Sequence, residues 1–171
     1  MALPDWFQVG RTQEHPTLKV IVNYHAYDDA WLPDVLKGKT AAEVGSKFDG
    51  DLLGDDPKGK FAKLVEAAIG AVQTCDDLAR IVHLSYGDFP VREYLKHITS
   101  FRGFRSYDIA RLIGADTTLP PDLVQGLWDK IGPKVEQWRG MGVYGPAVPV
   151  PADAPLQDRL LGMVGRNPHP H

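Results

Sequence analysis

The sequence contains one cysteine, no long hydrophobic run and no excess of basic residues. Cys75 alone cannot form an internal disulfide, and a lone cysteine among 171 residues is typical of proteins from a reducing cytoplasm. No stretch reaches 18 consecutive apolar residues, so we expect no membrane-spanning helix. The formal charge of −3 argues against nucleic acid as the main partner, because phosphate binding needs a basic surface. The first 16 residues lack the basic and apolar regions of a signal peptide, which favours a cytoplasmic protein.

The composition and the hydrophobic periodicity predict a mainly α-helical fold. Hydrophobic residues make up 43% and charged residues 24%, an ordinary globular balance, and a chain of 171 residues suits one domain. Apolar residues recur at helical spacing in four stretches: 17–36, 61–72, 91–113 and the residues after 118. A short strand over residues 80–84, followed by a turn, supplies a small β element.

These patterns also predict the organisation of the chain. We expect an irregular N-terminal segment at residues 1–16, a helical bundle over residues 17–166 and a disordered tail at residues 167–171.

Two arginines interrupt the apolar stripe of the predicted helix that follows Pro90. When the helix is registered on Val91, Arg102 and Arg105 fall at positions that should face the core. A buried charge without a partner costs roughly 3–5 kcal/mol, and the middle of a helix offers a long side chain little access to water. We therefore expect at least one of these guanidinium groups to have a carboxylate partner.

Five blocks of the sequence together carry a resemblance to a known family. They read WLPDVLKGKTAAEVGSKFDGDLLGDDP, VHLSYGDFPVREYL, YDIARLIGAD, LPPDLVQGLWDKIGP and VYGPAVPVPADAPLQDRLLGMVGR. In this order they resemble the actinobacterial branch of the DinB-like superfamily, which is related to the metal-binding domain of mycothiol-dependent maleylpyruvate isomerase. The resemblance covers about residues 17–167. The resemblance implies a four-helix, up-down-down-up bundle. It also implies a divalent metal held by a histidine of the second helix and by a glutamate and a histidine one turn apart on a later helix. Active relatives would be metal-dependent thiol transferases or isomerases.

This chain departs from the family at all three ligand positions that the resemblance implies. The second-helix histidine lies seven residues before the tryptophan of a Trp-x-Pro motif, and here Tyr24 stands seven residues before Trp31. The glutamate and histidine of the later motif correspond to Phe101 and Arg105. A guanidinium group stays protonated and cannot coordinate a metal. The resemblance therefore implies a degenerate metal site, and we expect no cofactor.

Two roles remain open for the arginines at this former metal site. In one, Arg105 replaces the metal charge and forms a structural salt bridge with Asp28 or Asp108. In the other, Arg102 and Arg105 retain an anion-binding pocket. Both roles predict a small-molecule-binding or interaction module rather than an enzyme.

An enzymatic alternative rests on a different set of ligands. Glu93 and His97 lie four residues apart, which places them on one face of the helix, and His25 or His83 would be the third ligand. Zinc or nickel bound there would support a metal- and thiol-dependent transferase or isomerase.

The start of the chain predicts an association between copies. Relatives carry a full helix before the one that starts near Thr17, whereas only 16 residues precede it here, so the first helix is expected to be shortened or missing. A bundle without that helix would expose an apolar groove. We therefore expect a homodimer that covers the groove, including by exchange of an element between chains. The alternative is that residues 2–10 fill it.

Overall fold

The computed structural model describes Leu3 and residues 17–169, and it confirms a mainly α-helical fold with a small antiparallel sheet. Apart from Leu3, the predicted irregular segment at residues 1–16 lies outside the described residues. The helices are α1 (Leu18–Leu36), α2 (Ala41–Val44), α3 (Pro57–Gln73), α4 (Val91–Ile113), α5 (Pro121–Ile131), α6 (Val135–Gly140) and α7 (Leu156–Met163). The strands are β1 (Ile81–Leu84) and β2 (Gly87–Pro90).

The chain divides into two compact units whose boundary falls inside α4. The N-terminal unit extends to Ile98, and the C-terminal unit begins at Thr99. Among the helices that the structure describes, none is both long enough and apolar enough to cross a membrane.

In the N-terminal unit, α1 packs along α3 and contacts β1. The helix α1 begins after Thr17, whose hydroxyl accepts a hydrogen bond from the backbone of Val20 at 3.4 Å. It continues past Pro33 and ends at Leu36, after which Gly38 adopts a φ of +82°. This left-handed conformation favours glycine and terminates the helix. The buried core of the unit consists of Leu32, Val35, Leu36, Ala68, Val82, Val91 and Tyr94.

The helix α3 buries little of its own surface. Asp56 caps its start by accepting a hydrogen bond from the backbone of Gly59 at 3.0 Å, and Pro57 occupies the first turn. Of the residues in α3, Ala68 is the one that is fully buried. Ile69 and Val72 are exposed, which leaves an apolar surface on this helix.

The hairpin leads directly into α4. Val82 pairs with Phe89, and the imidazole Nδ1 of His83 lies 2.9 Å from the carboxylate of Asp88. The predicted short strand is thus one half of a tight two-stranded hairpin. The backbone N–H of Val91 donates to the carbonyl of Arg80 at 2.9 Å, which joins the start of α4 to the strand.

In the C-terminal unit, the second part of α4 packs with α5 and α7 around a separate core. The buried residues are Phe104, Tyr107, Leu119, Val124, Leu127, Ile131, Val135, Leu160, Leu161 and Val164. A Cβ at Gly103 would lie 3.2 Å from Leu127, so the small residue allows α4 to approach α5 closely. The helix α4 ends at Ile113, and Gly114 follows with a φ of +69°.

An extended segment that includes Val148 and Val150 packs against α7 in the same unit. A Cβ at Gly162 would lie 2.5 Å from the side chain of Val150 and 2.7 Å from the carbonyl oxygen of Val148. Arg139 links the start of this segment to the end of α7, because its guanidinium group donates hydrogen bonds to the carbonyls of Gly145 at 3.0 Å and Met163 at 2.6 Å. The contact between the segment and α7 therefore depends on a residue without a side chain at position 162.

Candidate functional site

The centre of the C-terminal unit contains a buried ion pair between Asp108 and Arg166. The Nε of Arg166 donates to one carboxylate oxygen of Asp108 at 2.9 Å, and the Nη2 donates to the other at 2.8 Å. Asp108 is 2% exposed and Arg166 is 8% exposed. Two parallel hydrogen bonds from a planar guanidinium to a carboxylate form the strongest arrangement for this pair, and burial strengthens it further.

A second guanidinium group lies beside the same carboxylate. The Nη1 of Arg105 is 3.9 Å from the Asp108 oxygen that Arg166 also binds, and Arg105 is itself buried. Burial lowers the pKa of Arg105 from its usual range; the carboxylate of Asp108 opposes this effect and the charge of Arg166 adds to it. We call Arg105, Asp108 and Arg166 the charge cluster. Its three side chains carry a formal charge of +1.

Two aromatic rings lie beside the arginines of the charge cluster. The ring of Phe104 lies 4.9 Å from the guanidinium carbon of Arg166, and the ring of Phe101 lies 5.7 Å from that of Arg105. Tyr144 meets Phe104 edge-on at 6.1 Å. Burial raises the pKa of Tyr144 to about 12, although the charge of Arg166 opposes the shift. The low polarity of these neighbours strengthens each charge interaction and makes the loss of a partner costly.

The residues after α7 place Arg166 opposite α4. The helix ends at Met163, and Gly165 follows with a φ of +84°. A Cβ at Gly165 would lie 2.9 Å from the carbonyl oxygen of Pro146, so this turn has no room for a side chain. The backbone N–H of Arg166 then donates to the carbonyl of Leu161 at 2.8 Å. This αL turn at the helix end directs the following residue back toward the core.

Sequence reasoning missed Arg166. It is the last residue of the predicted domain and lies 58 positions from Asp108, so no local pattern connects the two. The one indication in the sequence that a partner such as Arg166 is needed was Asp108 itself, because a carboxylate next to an apolar stripe needs a cationic partner.

The next three residues belong to the predicted disordered tail, of which the structure describes residues 167–169. Arg111 donates to the carbonyl of Asn167 at 3.0 Å, and the Nε2 of His169 lies 2.9 Å from the carboxylate of Asp158.

The remaining residues of the predicted former metal site belong to both units. Phe101 lies in the C-terminal unit with the charge cluster, whereas Tyr24 and Asp28 lie on α1 in the N-terminal unit. The half-buried Arg102 of the predicted anion-binding pocket also lies in the C-terminal unit. Burial raises the pKa of Tyr24, and the charge of Asp28 adds to the shift. The pKa of Tyr86 is raised by the same causes, burial first and then Asp28. The negative charge of Asp28 thus acts on both tyrosines of the N-terminal unit.

Glu93 and His97 of the alternative metal site contact the side chains of other residues. The imidazole of His97 packs edge-on against Phe89 at 5.1 Å and faces Tyr86 at 6.1 Å. Glu93 accepts a hydrogen bond from Lys96 at 2.7 Å, and His25 is buried in α1. Within residues 17–169, the structure contains no group of three histidine, cysteine, aspartate or glutamate side chains placed to hold a metal ion.

Comparisons of this chain with models of protein families, with curated proteins and with solved structures found no significant match. The class of this protein is therefore defined by its fold and its site alone. It is a mainly helical protein whose C-terminal unit contains a buried Arg–Asp–Arg cluster.

Proposed function

We propose that the chain is a DinB-like helical protein in which an ion-pair cluster has replaced the family metal site, and that it acts as a small-molecule-binding or interaction module. The observation that supports this proposal is the environment of Arg105. The resemblance assigns its position to a metal-ligating histidine, and the side chain found there is buried beside the Asp108–Arg166 pair. We also propose a cytoplasmic location, in keeping with the single free cysteine.

The charge at this position opposes metal binding. A guanidinium group has no lone pair to donate to a metal, and it remains charged throughout the physiological pH range. A divalent cation brought close to the charge cluster would also be repelled by the buried guanidinium groups of Arg105 and Arg166. The same charge favours an anionic ligand, so a small carboxylate is the ligand class that fits best.

The metal content of the protein tests the first part of the proposal. The protein is purified without a chelator or an affinity tag and carries His169→Ala and His171→Ala, so that tail histidines cannot bind metal. A second protein also carries Tyr24→His, Phe101→Glu and Arg105→His, which restore the ligand types of the family. We expect elemental analysis to find no metal in the first protein and one divalent ion per chain in the second.

Stoichiometric zinc or nickel in the first protein would contradict the proposal. The metal- and thiol-dependent transferase or isomerase that uses His25, Glu93 and His97 would then become the preferred function. Loss of metal from a variant with Glu93→Gln and His97→Ala would identify the ligands directly.

Ligand-induced stabilisation tests the second part. A ligand that binds the folded protein raises its melting temperature according to its concentration and Kd. Melting temperatures are compared in small mono- and dicarboxylates and in chloride, at equal ionic strength. We expect a carboxylate-specific rise that disappears in an Arg105→Met variant. Equal melting temperatures in all these salts would argue for a purely structural cluster.

A further inference from the structure

One face of α3 carries an apolar strip with a lysine at its start, and an aspartate follows in the loop beyond the helix end. The residues of this α3 strip recur at spacings of four and three, which places those in the helix on one face. They are Lys58, Ala62, Val65, Ile69 and Val72, followed by Asp76 in the loop after the helix. Ile69 is 51% exposed and Val72 is 37% exposed. The strip therefore presents large apolar side chains to water.

A shallow groove runs beside the strip, between α3 and α1. Its volume is about 240 Å³, and its lining consists of Asp29, Leu32, Val65, Ala68, Ile69, Val72 and Gln73. Pockets for drug-sized ligands usually occupy about 300–1,000 Å³ and enclose the ligand. A smaller and open groove suits a few apolar side chains from another protein surface better than it suits a free small molecule.

The α3 strip is complementary to itself. Its positions are symmetric about residue 67, because 58 and 76, 62 and 72, and 65 and 69 each average 67. Two antiparallel copies of α3 would therefore place Val65 opposite Ile69 of the other copy. We propose that this strip is the interface of a homodimer, in which two α3 helices pack antiparallel about a two-fold axis near position 67. An interface of this kind is isologous, as in most soluble dimers.

The charges at the ends of the strip select this orientation. Antiparallel packing brings Lys58 of one copy toward Asp76 of the other, and it does so twice. The carboxylate of Asp76 is 87% exposed and receives a long hydrogen bond of 3.4 Å from Arg80, so a lysine can reach it from outside. Parallel packing would instead place Lys58 beside Lys58. The occupant that fits both the apolar strip and its charges is thus a second copy of this chain.

Glu66 gives the proposal a feature that can be tested separately. It is exposed at the edge of the strip, next to the position of the two-fold axis. Two Glu66 carboxylates would approach each other in the antiparallel dimer and repel. Glu66→Gln is therefore expected to tighten the dimer by about threefold. A weaker dimer in this variant would contradict the antiparallel arrangement.

The proposed dimer is independent of the proposed function, since it uses no residue of the charge cluster. The first experiment is analytical ultracentrifugation of the full chain up to about 100 μM, a range that detects all but the weakest association. We expect a reversible dimer. Ile69→Glu should give a monomer, because the charge would be buried at the centre of the interface. Ala67→Glu, an exposed substitution on the opposite face of α3, should leave the dimer unchanged.

Charge reversal then tests the pairing. Lys58→Asp places an acid in the first turn of α3 and Asp76→Lys places a base just beyond its end, so the helix dipole favours both changes in the monomer. Each single variant should weaken dimerisation by about tenfold through like-charge contacts, and the double variant should restore it. Circular dichroism checks that all variants fold.

A wild-type monomer throughout the concentration range would overturn the proposal and assign the strip to a different occupant. A dimer that persists in Ile69→Glu, or charge reversals that do not rescue each other, would also overturn it, because the copies would then associate through another surface.

Discussion

Arg166 donates two hydrogen bonds, of 2.9 and 2.8 Å, to the two carboxylate oxygens of Asp108. Both side chains are buried, and a second arginine, Arg105, lies 3.9 Å from the same carboxylate. This relationship joins the residue after the αL turn of α7 to the last third of α4 within the C-terminal unit. Because buried charges depend strongly on their partners, the pair predicts large effects for small chemical changes.

Removal of the carboxylate charge should destabilise the C-terminal unit severely. Asp108→Asn keeps the shape of the side chain but removes the carboxylate charge that the buried guanidinium group of Arg166 binds. We expect the free energy of unfolding to fall by roughly 3–5 kcal/mol, as measured by urea titration with circular dichroism. Asp153→Asn, at an exposed position, is the matched control and should change it by less than about 0.5 kcal/mol. Similar values for the two variants would show that the buried pair contributes little.

The geometry of the pair predicts a graded response at position 166. Arg166→Lys keeps the positive charge but cannot donate two parallel hydrogen bonds, so it should cost about 1.5–3 kcal/mol. Arg166→Met removes the charge as well and should cost roughly 3–5 kcal/mol. Urea titration of both variants gives the order. Equal stability of the lysine variant and the wild type would mean that charge alone, without bidentate geometry, holds the site together.

Tyr144 predicts a loss of stability at alkaline pH. The pKa of its phenol is raised to about 12 in the folded protein, whereas an unfolded tyrosine ionises near pH 10. The unfolded chain therefore releases this proton first, so stability is fully present below about pH 10 and falls as the pH rises toward 12. Since the side chain is only partly buried, we expect a loss of about 1 kcal/mol at pH 11.5 relative to pH 8.

Tyr144→Phe should remove this part of the pH dependence. The free energy of unfolding of the wild type and of the variant is measured at pH 8 and at pH 11.5. Between these two pH values, the wild type should lose more of this free energy than the variant does. A constant difference between the two proteins at the two pH values would show that Tyr144 does not titrate differently in the folded and unfolded states.

Two glycines of the C-terminal unit should respond in opposite directions to the same substitution. Gly162→Ala places a methyl group 2.5 Å from Val150 and 2.7 Å from the carbonyl of Val148, a clash that should cost about 1–3 kcal/mol. Gly126 lies within α5 and has open space around its Cβ position. Gly126→Ala should therefore stabilise the protein by about 0.5–1 kcal/mol through helix propensity. Thermal unfolding of both variants checks the pair, and destabilisation by Gly126→Ala would contradict the packing described for α5.

The local pattern of the sequence was enough to predict α1, α3, α4 and α5. Helical periodicity predicts α3 over residues 61–72 and the structure gives Pro57–Gln73, with the difference at its start explained by the Asp56 cap and Pro57. The end of α4 before Gly114 follows from the same local rules, because a glycine at a helix end readily adopts a positive φ. These features depend on residues that are neighbours in the chain.

The charge cluster depends on residues that are far apart. The position of Arg105 in an apolar stripe predicts that it needs a carboxylate, and Asp108 on the same helix is one of the two candidates. Arg166 could not be derived in this way, because its approach to Asp108 is set by the turn at Gly165 and by the packing of α7. Long-range contacts of this kind follow from the tertiary fold and have no local pattern.

The 58-residue separation of Asp108 and Arg166 also constrains how the protein is made. At translation rates of about 5–20 residues per second, the nascent chain carries Asp108 for about 3–12 s before Arg166 is added. During this interval, the interior of the C-terminal unit cannot close around the carboxylate without burying it in the absence of Arg166. The bidentate ion pair that joins α7 to α4 can therefore form only after Arg166 has been synthesised.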